Sequence, residues 1–160
     1  MKIADISLLY GELPQALALK KIIKEEQTNE IWLKNLKASA APLLFSSVAK
    51  SSNEVFVFIL SDADEAGYFY HDLHQLQGEK QVMFFPSSYK RAVKYGQRDA
   101  ANEILRTEVL ATLSRRESQN NLNEQPLFLV TYPEALAEMV VSKSFINDKI
   151  ISLKVSQSYD

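Results

Sequence analysis

The sequence predicts an α/β fold: a parallel sheet of about five strands with helices on both faces, preceded by an N-terminal helical arm. Three observations carry this. Apolar runs rich in β-branched and aromatic residues occur at 55–60, 81–85 and 126–131, the pattern of strands covered on both faces. Segments with helical apolar spacing separate these runs, and such alternation of strand and helix points to parallel strands joined by right-handed crossovers. The composition is that of a folded domain, with 160 residues, 46% apolar, 24% charged, four Gly and five Pro. It excludes disordered, collagenous and low-complexity classes. The expected division is a helical arm over 1–28 and one α/β lobe over 29–160.

Ala16, Leu19, Ile22 and Ile23 recur at helical spacing after Pro14, with lysines and glutamates on the other face, so 14–26 reads as an amphipathic helix with Pro14 in its first turn. Glu30 to Leu33 reads as a short strand. A second helix is expected from Ser39, its capping residue, to about Lys50, with Leu43, Leu44 and Val48 as apolar positions. Val55 to Leu60 is the best-marked strand. Ser61-Asp62 then supplies a cap for a helix from about Asp64 to Gln77, which Gly78 closes. Gln81 to Phe85 is a further strand, stopped by Pro86.

Residues 86–98 lack periodicity and read as a long loop. Asp99 is placed to cap a helix through Ile104, Leu105, Val109, Leu110 and Leu113, ending near Arg115-Arg116. Polar residues 117–125 form a linker. Pro126 to Thr131 is the next strand, Pro133 opens a helix through about Val140, and Lys149 to Val155 supplies the last strand.

Eighteen basic against twenty acidic residues give a net charge of −2, so the chain lacks a global attraction to nucleic acid or anionic membrane. The absence of cysteine removes disulfide frameworks, thiolate catalysis and cysteine-based metal centres. Met1-Lys2-Ile3-Ala4-Asp5 lacks the apolar core of a secretion signal, and no apolar stretch reaches the ~20 residues of a membrane helix. A cytoplasmic location and no membrane partner are therefore expected.

A nucleotide-binding sheet places a glycine-rich loop after its first strand. That slot reads Asn35-Leu36-Lys37-Ala38-Ser39-Ala40-Ala41-Pro42, with no glycine and no Gly-Lys-Ser/Thr to cradle a phosphate and place magnesium. His71 and His74, three apart on one helix, offer two imidazoles but no third metal ligand, and surface or satisfied histidines are the reading taken. Asp62, Asp64 and Glu65 suit a helix start without any catalytic role. The basic loop, Tyr89-Lys90-Arg91-Ala92-Val93-Lys94-Tyr95-Gly96-Gln97-Arg98, combines cations with stacking rings. Lys90, Arg91, Lys94 and Arg98 are therefore the candidate contacts to nucleic acid or to a partner protein. No catalytic, metal or cofactor residue is assigned.

The words Phe84-Phe85-Pro86-Ser87-Ser88-Tyr89, Leu105-Arg106-Thr107-Glu108-Val109-Leu110 and Val130-Thr131-Tyr132-Pro133-Glu134-Ala135-Leu136, with the glycine-poor loop, resemble one family. It is the N-terminal region of the bacterial transcription-repair coupling factors, Mfd, and the resemblance runs from about Pro14 to the end. It implies a degenerate RecA-like lobe whose phosphate loop no longer binds ATP, the first lobe of a module similar to UvrB. The family's ATP-driven DNA translocase and its RNA-polymerase-binding domain lie downstream. Its UvrA-binding surface sits mainly on the domain expected after Asp160. The implied role is a non-catalytic scaffold in nucleotide excision repair, with no cofactor. The competing reading is a stand-alone nucleic-acid-binding or nucleotide-using α/β domain.

Overall fold

The computed structural model describes residues 3–25, 30–50, 52–89, 98–119 and 125–145. Nine elements follow one another: α1 (Ile3–Glu12), α2 (Pro14–Glu25), α3 (Ala40–Ala49), β1 (Val55–Ile59), α4 (Ala63–Gln77), β2 (Val82–Phe84), α5 (Ala100–Gln119), β3 (Leu127–Thr131) and α6 (Pro133–Leu136). The strands form an open sheet of order β1-β3-β2, parallel throughout. The α/β class and the parallel sheet therefore stand. No helix among the described residues is long and apolar enough to cross a membrane.

Local chemistry explains where the helices start and stop. Pro14 opens α2, where its missing N–H costs nothing. Asp62 caps α4 by accepting the amides of Asp64 and Glu65, both at 2.9 Å. Gly78 ends α4 at φ 83°, its N–H bonded to the His74 carbonyl, a left-handed backbone that favours glycine. Asp99 accepts the Ala101 amide at 3.0 Å and so caps α5.

β3 is buried at all five positions. On one face Phe128 lies beside Phe56 and Val82, and Val130 beside Phe58 and Phe84. The Phe128 ring stacks on Phe56 and Phe58 at 5.6 and 6.2 Å, and Phe58 meets Phe69 of α4 and Phe45 of α3. Val109, Leu110 and Leu113 of α5 join the same core. A second, smaller core holds Ala16 and Leu19 of α2 with Leu44 and Val48 of α3. The N-terminal helices thus form a layer on α3.

Several expectations are corrected. Among the described residues three strands pair, where about five were expected for the whole chain. Glu30 to Leu33 is exposed and forms no strand, and the stretch that follows it into α3 holds two left-handed residues, Asn35 (φ 64°) and Ala38 (φ 47°). The expected strand at 149–155 lies outside the described residues. β1 is covered on one face only: Val55, Val57 and Ile59 are exposed because β1 is an edge strand and α5 packs towards β2. Ser39 stands at the start of α3 but its side chain makes no capping bond. α5 runs on to Gln119, into the expected linker, and α6 is one turn rather than a helix to Val140. α1 was not expected from periodicity.

Phe128 is fully buried at the centre of the ring cluster. Phe128→Ala is expected to lower stability by about 3–5 kcal/mol, read as a shift in the midpoint of urea unfolding. A loss below about 1 kcal/mol would place the weight of the core elsewhere.

Candidate functional site

The carboxyl ends of β2 and β3 lie side by side, where parallel sheets commonly bind ligands. From β2 the chain leaves as Phe85-Pro86-Ser87-Ser88-Tyr89 and returns at Arg98 to start α5. The two stems are joined: the Asp99 amide donates to the Ser88 carbonyl at 2.7 Å, and Tyr89 and Arg98 form an antiparallel bridge. Asn102 Nδ2 adds a bond to the Ser87 carbonyl at 2.8 Å. The basic loop therefore springs from a closed neck.

Beneath the neck sits Arg106 of α5, only 6% exposed. One guanidinium nitrogen, Nη1, donates to the carbonyls of Pro86 at 2.8 Å and Ala135 at 3.0 Å. These carbonyls belong to the segments following β2 and β3, so one side chain ties the two strand ends together. Its guanidinium carbon lies 4.1 Å from the centre of the Phe85 ring, a cation–π contact strengthened by the loss of water. Nη2 is buried without a hydrogen-bond partner among the described residues.

Glu138 supplies the balancing charge, with Oε2 3.7 Å from Arg106 Nη1. The carboxylate accepts the Ser88 amide at 3.0 Å and the Ser88 hydroxyl at 2.6 Å, and also bonds the Ser87 hydroxyl. Loss of solvent raises the pKa of this group. The donors from Ser87 and Ser88, helped by the Arg106 charge, outweigh it and hold the carboxyl below its ordinary value. These interactions also explain the short α6: Arg106 takes the Ala135 carbonyl, and Glu138 is drawn to the serines instead of continuing the helix.

An open cavity of about 510 Å³ lies against this cluster, lined by Tyr89, Arg98, Arg106 and Glu138 and by the apolar Met139 and Val141. Its charges are matched in pairs, Arg106 with Glu138 and Arg98 with Glu103 at 2.9 Å. It is a structural hub with an apolar rim, in which the Glu138 carboxylate accepts from the Ser87 and Ser88 hydroxyls.

Of the four candidate contact residues, the structure places Arg98 at the neck. Lys90, Arg91 and Lys94 lie outside the described residues. His71 meets Gln75 at 2.9 Å and His74 packs on the Tyr70 ring. No group of three or more His, Asp or Glu among the described residues is placed to hold a metal. Asp62 is committed to its cap, and Glu65 accepts the Ser61 hydroxyl at 2.6 Å. Sequence reasoning missed Glu138, Ser87 and Ser88 as a cluster, and treated Arg106 only as part of a motif. The available signal was an arginine one turn before Val109, on the apolar face of a helix, where a charge demands a partner. Comparison with protein-family models, curated proteins and solved structures found no match.

Glu138→Gln keeps the volume and removes the charge. At neutral pH the variant should be less stable by about 2 kcal/mol. Because the folded-state pKa is depressed, the wild-type advantage is present above the ordinary carboxylate range and is lost as pH falls through the folded value. Urea unfolding across pH should show the two curves converging in acid. A gap unchanged by acidification would assign the effect to shape rather than charge.

The basic loop should support only weak, salt-sensitive binding to duplex DNA. Four phosphate contacts correspond to a log–log salt slope of about −3.6, and with Arg98 held by Glu103 a slope of about −2.7, three contacts, is expected. Replacing Lys90, Arg91, Lys94 and Arg98 together by Ala should abolish it in an anisotropy titration. Tight binding that survives would move the contact surface elsewhere.

Proposed function

We propose that the chain is a non-catalytic scaffold lobe, similar in role to the first lobe of the UvrB-like module in bacterial transcription-repair coupling factors. In such a protein the lobe supports a module that recruits UvrA. The displacement of stalled RNA polymerase, the ATPase and the tracking of DNA belong to other domains.

The observation that carries this reading is the turn leading into α3, which the resemblance sets at the position of a phosphate loop although no strand precedes it among the described residues. A phosphate is held there by free backbone amides and by glycines that let the backbone approach. Here the Ala40 amide is spent on the Lys37 carbonyl and the Leu43 amide on the Ser39 carbonyl, both at 3.1 Å. Pro42, in the first turn, has no N–H. The left-handed positions that elsewhere favour glycine are taken by Asn35 and Ala38.

The finer fold, a degenerate RecA-like sheet of about five strands, is part of the same proposal. Its support is the unfinished side of the sheet. β1 lies at an edge, its sequence Val-Phe-Val-Phe-Ile carries no charge or proline to protect that edge, and its outer face is apolar and exposed. Parallel strands are normally covered on both faces, and bare apolar edges invite pairing. In the proposed setting further strands of a longer protein complete the sheet beside β1.

Two measurements test the reading. Calorimetric titration with ATP and magnesium should give no dissociation constant below about 100 µM, roughly −5.5 kcal/mol; tighter binding would revive a nucleotide-using role. In a pull-down, residues 1–160 should retain less UvrA than a longer chain carrying the domain that follows in the resembled family. Equal retention would place the UvrA surface on this lobe.

A further inference from the structure

Among the described residues the sheet ends at β2 on the side away from β1, and the pairing of β2 fixes which of its backbone groups are left over. The Phe128 amide donates to the Gln81 carbonyl at 2.8 Å, and the Phe85 amide donates to the Val130 carbonyl at 2.9 Å. Residues 81, 83 and 85 therefore turn their amides and carbonyls towards β3, and Val82 and Phe84 turn theirs away from it. Among the described residues these outward groups find no partner, although every buried backbone amide and carbonyl needs one.

A groove of about 490 Å³ runs along this edge. Its two walls come from different helices. The Phe84 ring lies 5.3 Å from the Tyr70 ring of α4, on the face that also carries Val82, whereas Phe85, on the opposite face, meets Arg106 of α5. Leu105, Glu108, Val109 and Arg115 of α5 form the second wall. An edge strand flanked by one helix on each face leaves the shape of one further strand between them.

The charges along the groove are sorted by the direction of α5. Arg106 bonds the Pro86 carbonyl just past β2, and Arg116 bonds the Asn53 and Gln125 carbonyls ahead of β1 and β3. Glu108 thus lies towards the end of β2 and Arg115 towards its start, where Lys80 joins it and Glu79 offsets part of the charge. No ion pair joins these four among the described residues. Two acids and two bases sum to zero, which draws in neither nucleic acid nor free phosphate and suits a neutral main chain. Burial, with Glu108 and Glu79 close by, raises the Tyr70 hydroxyl above its ordinary value and keeps it a donor.

We propose that the β2 edge takes an extended peptide segment of a partner protein as an added strand. Its main chain bonds Val82 and Phe84, an acidic side chain faces Lys80 and Arg115, and a basic one faces Glu108. Glu108 and Arg115 stand about 10 Å apart along α5 at 1.5 Å per residue. Two side chains four apart on a strand share a face and span about 13 Å, a difference that their own length absorbs. The inference does not rest on the proposed function, which concerns the β1 side of the sheet.

The test is an NMR titration of the isotope-labelled 160-residue chain with the capped peptide Thr-Glu-Val-Val-Val-Lys-Thr. Binding in the high-micromolar range is expected, with shifts at Val82 to Phe84 and along α5, and amide exchange at Val82 and Phe84 slowed about tenfold. N-methylation of every second peptide residue should weaken binding about tenfold in one frame and much less in the other, because only one set of amides faces the edge. Exchanging the peptide lysine for glutamate should cost about threefold, and Glu108→Lys should recover it. Absence of binding, equal tolerance of both N-methylation frames, or indifference to the charge exchange would overturn the proposal. So would slow exchange at Val82 and Phe84 in the dilute chain alone, which would mean that its own residues fill the edge, or exchange that slows with chain concentration alone, which would assign the edge to a second copy.

Discussion

The sheet depends on β3, which enters between two strands that precede it in sequence and do not touch each other. Its bonds run outward to both sides: the Leu127 amide to Glu54, the Phe128 amide to Gln81, and the amides of Leu60 and Phe85 back to Thr131 and Val130. Thr131 adds a hydroxyl bond to the Phe85 carbonyl at 2.8 Å. Without β3 neither β1 nor β2 has a described partner. Bringing it in closes long loops before any pairing is gained, so the sheet and the ring cluster around Phe128 are expected to form together and late.

Once β3 is seated, the ends of β2 and β3 are adjacent, and each leaves a carbonyl turned inward after the strand stops. Arg106 answers both at once. A single buried cation then needs a charge, and Glu138 provides it while holding the serines at the neck of the basic loop. The cluster is thus a consequence of the strand order, and it gives the loop a rigid base whatever the loop contacts.

Much of the fold was legible because helix signals are local. Pro14, Asp62, Gly78 and Asp99 each act on amides or carbonyls within a turn of themselves, and each performs the capping or opening role that its position suggested. Strand signals are weaker: Glu30 to Leu33 and Val55 to Leu60 both look like strands, but only the second meets a partner. α1 escaped notice because its most buried residue is Ser7 while Leu8 and Leu9 are exposed, so no single apolar face repeats. The site was the least legible part. Arg98 lies at the neck, and Glu138 comes from a segment about fifty residues from Ser87 and Ser88.

The sequence by itself determined the α/β class, most helix boundaries, and the strand runs at 55–60, 81–85 and 126–131. These follow from short-range rules, in which a side chain acts on its own backbone or on neighbours three or four residues away. Tertiary structure alone decided the order β1-β3-β2, the bare outer face of β1, the one-turn length of α6, and the pairing of Arg106 with Glu138. Each of these is a competition among distant segments for one partner. A strand's face is covered only if a helix happens to cross it, and a carbonyl continues a helix only if no buried arginine claims it first.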